Sequence, residues 1–287
     1  MTAIPSRPAL FDTLTEVPRA GLEATRLALA LPALLQDLPR GDGHPVLVLP
    51  AYGTGDLGLW PLRRFLDALG YEALESGLGP NLDRGELRIR RVEDAARFRR
   101  IQSERVVRRV RDVFARTGRR PSLVGWSMGG LFAFDAARLA PDAVRRAVTL
   151  GSPFGDPRGT SMWDVMRRLS GSTVPPEEQD FATWLRPISR AEGDTHPPAP
   201  VTILYSHRDG IVGEEAARID ERAARAAGAA DLPGVSYLRI ESSHLGFAVN
   251  AAAYRAIARA LAAVSVGPGR TGPRKPSRRS AGRKQSN

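Results

Sequence analysis

Four short, largely apolar runs set the limits of this chain's fold: "PVLVLP" at residues 45–50, "SLVGW" at 122–126, "RRAVTLG" at 145–151 and "VTILYS" at 201–206. Each is too short for a buried helix, and the first, bounded by prolines, has no polar alternation, the pattern of a strand buried on both faces of a parallel sheet. Helical patterns fill the intervals. "DLGLWPLRRFLDALGY" carries Trp60, Leu62, Phe65, Leu66 and Leu69 on one face and closes at Gly70. A long polar helix with one apolar stripe is expected from about Val92 to Thr117, and "GGLFAFDAARLA" supplies another. "YEALES" and "VSYLRI" read as further strands, and "GEEAARIDERAARAAG" and "NAAAYRAIARALAAV" as further helices. Strand and helix alternating through short links specify an α/β architecture, a doubly wound, mostly parallel sheet with right-handed crossovers and helices on both faces. No internal repeat is present.

Three segments stand outside this alternation. Residues 1–43 read as an N-terminal helical extension in which Leu22, Leu27, Leu31, Leu34, Leu35 and Leu38 fall near helical spacing before Pro39 and Gly41 end the pattern. The expectation is packing against the domain at 44–266, with a membrane-surface or partner-binding helix as the alternative. Between Ser152 and about Pro200 regularity is lost, and the segments "MWDVMRRL" and "EEQDFATWL" suggest an inserted helical cap. The tail 267–287 holds seven Lys or Arg and no acid, out of a net charge of +11, and its Gly, Pro and Ser content gives it nothing to bury. A disordered, solvated tail is expected, with weak salt-sensitive contact to polyanions or anionic membrane as the alternative. No nucleic-acid motif or aromatic stacking platform accompanies it, so no specific nucleic-acid partner is expected. Cysteine is absent, which excludes disulfides and thiolate metal sites. "LALALPALL" at 27–35 is too short to span a bilayer. A cytoplasmic location is expected, with the inner membrane face touched only peripherally through the tail.

The chemistry gathers around Gly125, Trp126, Ser127, Met128 and Gly129, which fit GxSxG between a strand and a helix. A serine on so sharp a turn needs small neighbours, because its backbone is strained and its hydroxyl must stand clear of the sheet edge. The hydroxyl also needs a base and a carboxylate to orient that base. Of the four histidines, His244 follows the last strand and can reach the same sheet edge; His207 and His196 are the alternatives, and His44 lies at the wrong end of its strand. Asp209, just past "VTILYS" and before Gly210, is the candidate acid, though a turn or cap aspartate would look the same. Backbone N–H groups of Met128 and Tyr52, the latter from the turn "LPAYGTGD", are candidates for an oxyanion hole. Trp126, Trp163 and Trp184 are candidates to line a substrate pocket, and the two in the insertion could equally serve to fasten it.

In the order "VLVLPAYGTGD", "LVGWSMGG", "VTLGSPFGD", "YSHRDGIV" and "SSHLGF", residues 44–265 resemble a bacterial α/β-hydrolase of the esterase and lipase-like kind. The departure is at the first turn, where Pro50 and Ala51 stand in place of a histidine and a glycine. The resemblance implies a lid after "VTLGSPF" and hydrolysis of small-molecule or lipid carboxylic esters with neither metal nor organic cofactor. Acyl transfer on the same three residues, or a catalytically silent scaffold used for binding, are the alternatives.

Overall fold

A computed structural model describes residues 6–82, 89–163, 174–175, 178–185, 196, 198–219 and 234–263. Six parallel strands, β1 (Pro45–Leu49), β2 (Glu72–Glu75), β3 (Ser122–Trp126), β4 (Arg146–Leu150), β5 (Val201–Tyr205) and β6 (Val235–Arg239), form one sheet in the order β2-β1-β3-β4-β5-β6. The reversal of direction in strand order falls between β1 and β3, the position at which a doubly wound sheet opens a crevice beyond its strand ends.

The four central strands alternate their side chains between two apolar layers, which is why their sequences read as continuous apolar runs. Leu47, Leu49, Leu123, Ala147 and Ile203 point to one layer, packed under α4 (Val92–Thr117) and α5 (Met128–Leu139). Val46, Val48, Val124, Val148 and Leu204 point to the other, under α2 (Glu16–Asp37), α3 (Trp60–Leu69) and α7 (Ala251–Ala262). The edge strands β2 and β6 are partly exposed, as their mixed sequences require. Helix ends follow local chemistry. Gly70, at φ 97°, closes α3, and the Asn250 side chain caps α7 by accepting from the N–H groups of Ala252 and Ala253.

The N-terminal segment contains one element beyond expectation, the short α1 (Leu10–Leu14) ahead of α2. Along α2 and just after it, Leu27, Leu34 and Leu38 are buried and Leu31 and Leu35 half-buried, whereas Leu22 is exposed. Helical spacing alone assigns Leu22 to the packed face; Glu23 takes that contact instead, accepting from Ser243 N, Ser242 Oγ and Asn250 Nδ2. The helix expected at "GEEAARIDERAARAAG" makes only turns over residues 213–219, and its remainder lies outside the described residues. Within the segment expected as an inserted cap, α6 (Phe181–Leu185) is anchored through Arg99 of α4. That guanidinium grips the fully buried Asp135 of α5 with two bonds of 2.7 and 2.6 Å and donates to the Trp184 carbonyl. "MWDVMRRL" beyond Trp163 and the basic tail lie outside the described residues. No helix among the described residues is long and apolar enough to cross a membrane.

Candidate active site

β3 ends at Trp126 and α5 begins at Met128, leaving one residue to make the turn. Ser127 makes it at φ 53° and ψ −120°, and among the described residues it alone, glycines aside, has positive φ. Such a conformation costs on the order of 1–3 kcal/mol and persists only where the surroundings impose it. The surroundings here are glycines under close approach. A Cβ on Gly125 would lie 2.3 Å from the Gly129 carbonyl oxygen, and one on Gly129 would lie 2.4 Å from that of Leu49. Gly130, outside the five-residue motif, is as restricted: its Cβ would meet the Ser152 hydroxyl at 1.9 Å. The Ser127 N–H is tied to the Leu150 carbonyl at 2.8 Å, fixing the turn to β4.

Asp209 follows β5 and is buried. Its two oxygens do different things: Oδ1 accepts the N–H groups of Ile211 and Val212 at 2.9 and 2.7 Å, and Oδ2 accepts from His244 Nδ1 at 2.8 Å. It is therefore a turn aspartate and an imidazole partner at once. His244, beyond β6, is also held by its carbonyl, which accepts from Trp126 Nε1 at 3.0 Å. Burial pushes the His244 imidazole down, but the charge and hydrogen bond of Asp209, with the charge of Glu16, outweigh it and hold the group above the ordinary histidine range. Ser127 and His244 line one cavity of about 210 Å3, together with Tyr52 and Met128.

The turn bearing Tyr52 is braced by a residue that sequence reasoning passes over. Asn81, fully buried, donates from Nδ2 to the Pro50 carbonyl at 3.2 Å, accepts the Gly53 N–H at 2.7 Å and donates its own N–H to the Thr54 carbonyl at 3.1 Å. Three bonds to one asparagine fix the loop backbone on both sides of Tyr52. The Tyr52 ring itself stands edge-on to Phe98, centroids 6.2 Å apart.

No protein-family model and no curated protein matches this sequence. Solved structures do match. The mature form of a Bacillus licheniformis lipase superposes with a TM-score of 0.50 at 16% identity, over 78% of this chain and 94% of that one. The fold is that of an α/β-hydrolase. A monoacylglycerol lipase from Paleococcus ferrophilus matches at a TM-score of 0.48 and 16% identity, over 78% of this chain and 96% of that one. An α/β-hydrolase fold protein from Nakamurella multipartita matches at 0.41 and 16%, over 77% and 93%.

In this α/β-hydrolase fold the remaining histidines lie apart from the cavity. His207 is exposed and faces Glu241 at 3.3 Å, and His196 is exposed as well. His44 is buried beside Ser122 at the opposite end of the sheet. All three candidate tryptophans line the cavity. Trp184 also fastens α6, donating from Nε1 to the Pro153 carbonyl at 3.2 Å, so it both lines the cavity and holds the helix. Trp163 packs edge-on to Phe181, centroids 5.4 Å apart. Ile89, Met162, Val212 and Leu245 add to a largely apolar lining that also includes the exposed Arg90 and Arg91. Among the described residues no cluster of three His, Cys, Asp or Glu could hold a metal ion. Asn81, Glu16 and Glu23 carry no local sequence signal that marks them as neighbours of a site.

Proposed function

We propose that this chain is a serine hydrolase that cleaves carboxylic esters with an apolar acyl portion through an acyl-enzyme intermediate. One observation carries the reading: Ser127, held at a positive φ that lifts it off the sheet edge, shares a cavity with His244, whose Nδ1 is occupied by Asp209. That bond puts the Nδ1 proton towards the carboxylate and leaves Nε2 as the basic nitrogen. Ser127 Oγ attacks the ester carbonyl while His244 takes its proton. The imidazolium, beside Asp209, then returns the proton to the leaving alcohol. The Met128 N–H, at the positive end of α5, and the Tyr52 N–H bind the oxyanion. Water, activated by the same histidine, releases the acid. The reaction needs no cofactor.

The lining by Trp126, Met162, Trp163, Trp184 and Leu245 supports an apolar acyl group as the part of the substrate held. The test is fluorophosphonate labelling of the full chain, followed by hydrolysis of p-nitrophenyl esters of increasing acyl length. Labelling and turnover are both expected in the wild type, and both should vanish in Ser127→Ala. Undiminished labelling of that variant, with its fold intact, overturns the assignment.

A further inference from the structure

Glu16 belongs neither to the proposed triad nor to the cavity lining, yet it reaches both loops that carry them. Its carboxylate, 4% exposed, accepts the His244 N–H at 3.0 Å and the Gly210 N–H at 2.7 Å through Oε1, and the Leu245 N–H at 3.0 Å through Oε2. Gly210 follows the proposed acid, and Leu245 follows the proposed base. One side chain from the N-terminal segment thus joins the backbones of two loops about 35 residues apart in sequence. The loops are shaped for this visitor. A Cβ on Gly210 would stand 2.3 Å from the Asp12 carbonyl oxygen, and one on Gly246 would stand 1.7 Å from Glu23 Oε2. The Gly210 carbonyl accepts from the Thr13 hydroxyl at 2.6 Å, and the Arg208 carbonyl from Arg19 at 2.5 Å.

We propose that Glu16 is a positioning residue of the active site: it clamps the Asp209 and His244 loops in register and sets a fixed negative charge beside the imidazolium that forms when His244 takes the Ser127 proton. The N-terminal extension is then part of the catalytic apparatus of this chain. The inference rests on the Ser-His-Asp reading above. Among the described residues the charged groups around the imidazole are few, and Arg90 and Arg91 line the cavity it shares. Asp209 pairs with it directly, and Glu16 faces it from α2. Arg19 bonds Glu16 at 3.0 Å and Asp12 at 3.4 Å, and Arg208 bonds Asp12 at 3.3 Å. Glu23 serves the adjoining backbone, accepting from Ser243 N, Ser242 Oγ and Asn250 Nδ2. His207 and Glu241 pair with one another on the outside.

The experiment is an NMR titration of the His244 imidazole in the full chain, alongside the pH profile of kcat/KM on a soluble ester, for Glu16→Gln, Arg19→Gln and Glu23→Gln. Loss of the Glu16 charge should lower the His244 midpoint by about 0.5–1 pH unit, and loss of the Arg19 counter-charge should raise it. The acid limb of kcat/KM should move the same way. Glu16→Gln should also lower kcat by about tenfold with little change in KM, since the base is misplaced and binding is not. Glu23→Gln should lower thermal stability and leave the midpoint where it is. A folded Glu16→Gln with an unmoved midpoint overturns the proposal. If that variant does not fold, Arg19→Gln decides, and an unmoved midpoint there overturns it equally. The titration does not depend on turnover, so a chain without esterase activity in which the midpoints still move would sink the triad reading and keep the clamp.

Discussion

At the two ends of β3 stand a serine, a histidine and an aspartate, and the two sets differ in nearly everything except their residue types. At the start of the strand, Ser122 meets His44 Nε2 at 2.8 Å, and His44 Nδ1 meets Asp42 at 2.5 Å. Just past its end stand Ser127, His244 and Asp209. Ser122 is fully buried in an ordinary strand conformation, and His44 is 1% exposed. Ser127 is lifted into a cavity by a positive φ. The electrostatics run in opposite senses. Burial, with Arg145 and Arg119 nearby, pushes His44 below the ordinary histidine range despite Asp42, whereas Asp209 and Glu16 lift His244 above it despite burial. Residue types and hydrogen bonds alone therefore do not tell the two sets apart. Access to a cavity and surroundings that favour the charged imidazole are what separate the two sets.

Exchanging matched substitutions between the two ends gives the largest expected contrast. Ser127→Ala should lower kcat by on the order of 10^4-fold or more, with a nearly unchanged Tm. Ser122→Ala should leave turnover within about twofold and cost about 1–3 kcal/mol of stability, because it orphans His44 Nε2. Equal losses of activity from both would erase the distinction.

The aspartates come next. Asp209→Asn should lose about 10^4-fold in kcat by presenting the wrong tautomer of His244, while Asp42→Asn should hydrolyse esters at close to the wild-type rate. Steady-state kinetics on one soluble ester, with the fold checked by circular dichroism, measures both.

A smaller effect belongs to the cavity itself, which only one of the two sets possesses. Trp163→Ala should uncover a strip of ~40–80 Å2 of a bound acyl chain, or ~1–2 kcal/mol, so kcat/KM should fall ~5–30-fold for long acyl esters and much less for acetates. An equal drop at every chain length assigns Trp163 to fastening the insertion.

The smallest signal is the pH dependence of stability, where the two histidines should act with opposite sign. His44, lowered in the folded state, favours its neutral form there, so its contribution is present above the ordinary value of about 6.5 and is lost as pH falls towards its folded midpoint. His244, raised in the folded state, contributes fully below about 6.5 and loses that contribution as pH rises through its folded midpoint. Tm measured against pH should therefore lose part of its acid slope in His44→Gln and part of its alkaline slope in His244→Gln. Identical changes in the two variants would contradict the assignment.

Much of this molecule is legible along the chain. The four inner strands and α3, α4, α5 and α7 stand where apolar period, helix stops and glycines put them. The turn at Ser127 is legible because its causes are local: Gly125, Gly129 and Gly130 lie within three residues of it. The choice among four histidines is only partly so. Position beyond a strand's C-terminal end favours His244, but His207 satisfies the same rule and faces outward to Glu241. The Leu22 face of α2 is misread for a comparable reason, since helical period reports which residues share a side and is silent on whether that side meets a carboxylate's partners or an apolar layer.

The sequence by itself determined the alternating architecture, the strained serine turn and the order Ser127, Asp209, His244, because period, glycine sterics and strand ends act over a few residues. Only the tertiary structure decided which aspartate–histidine row opens to a cavity, that Asn81 braces the Tyr52 turn, and that Glu16 bonds the backbone of residues 194, 228 and 229 positions away. Those contacts join a side chain to main-chain N–H groups, and an amide donor is the same in every residue but proline. A partner of that kind leaves no mark on residue identity, so the folded chain alone brings it into view.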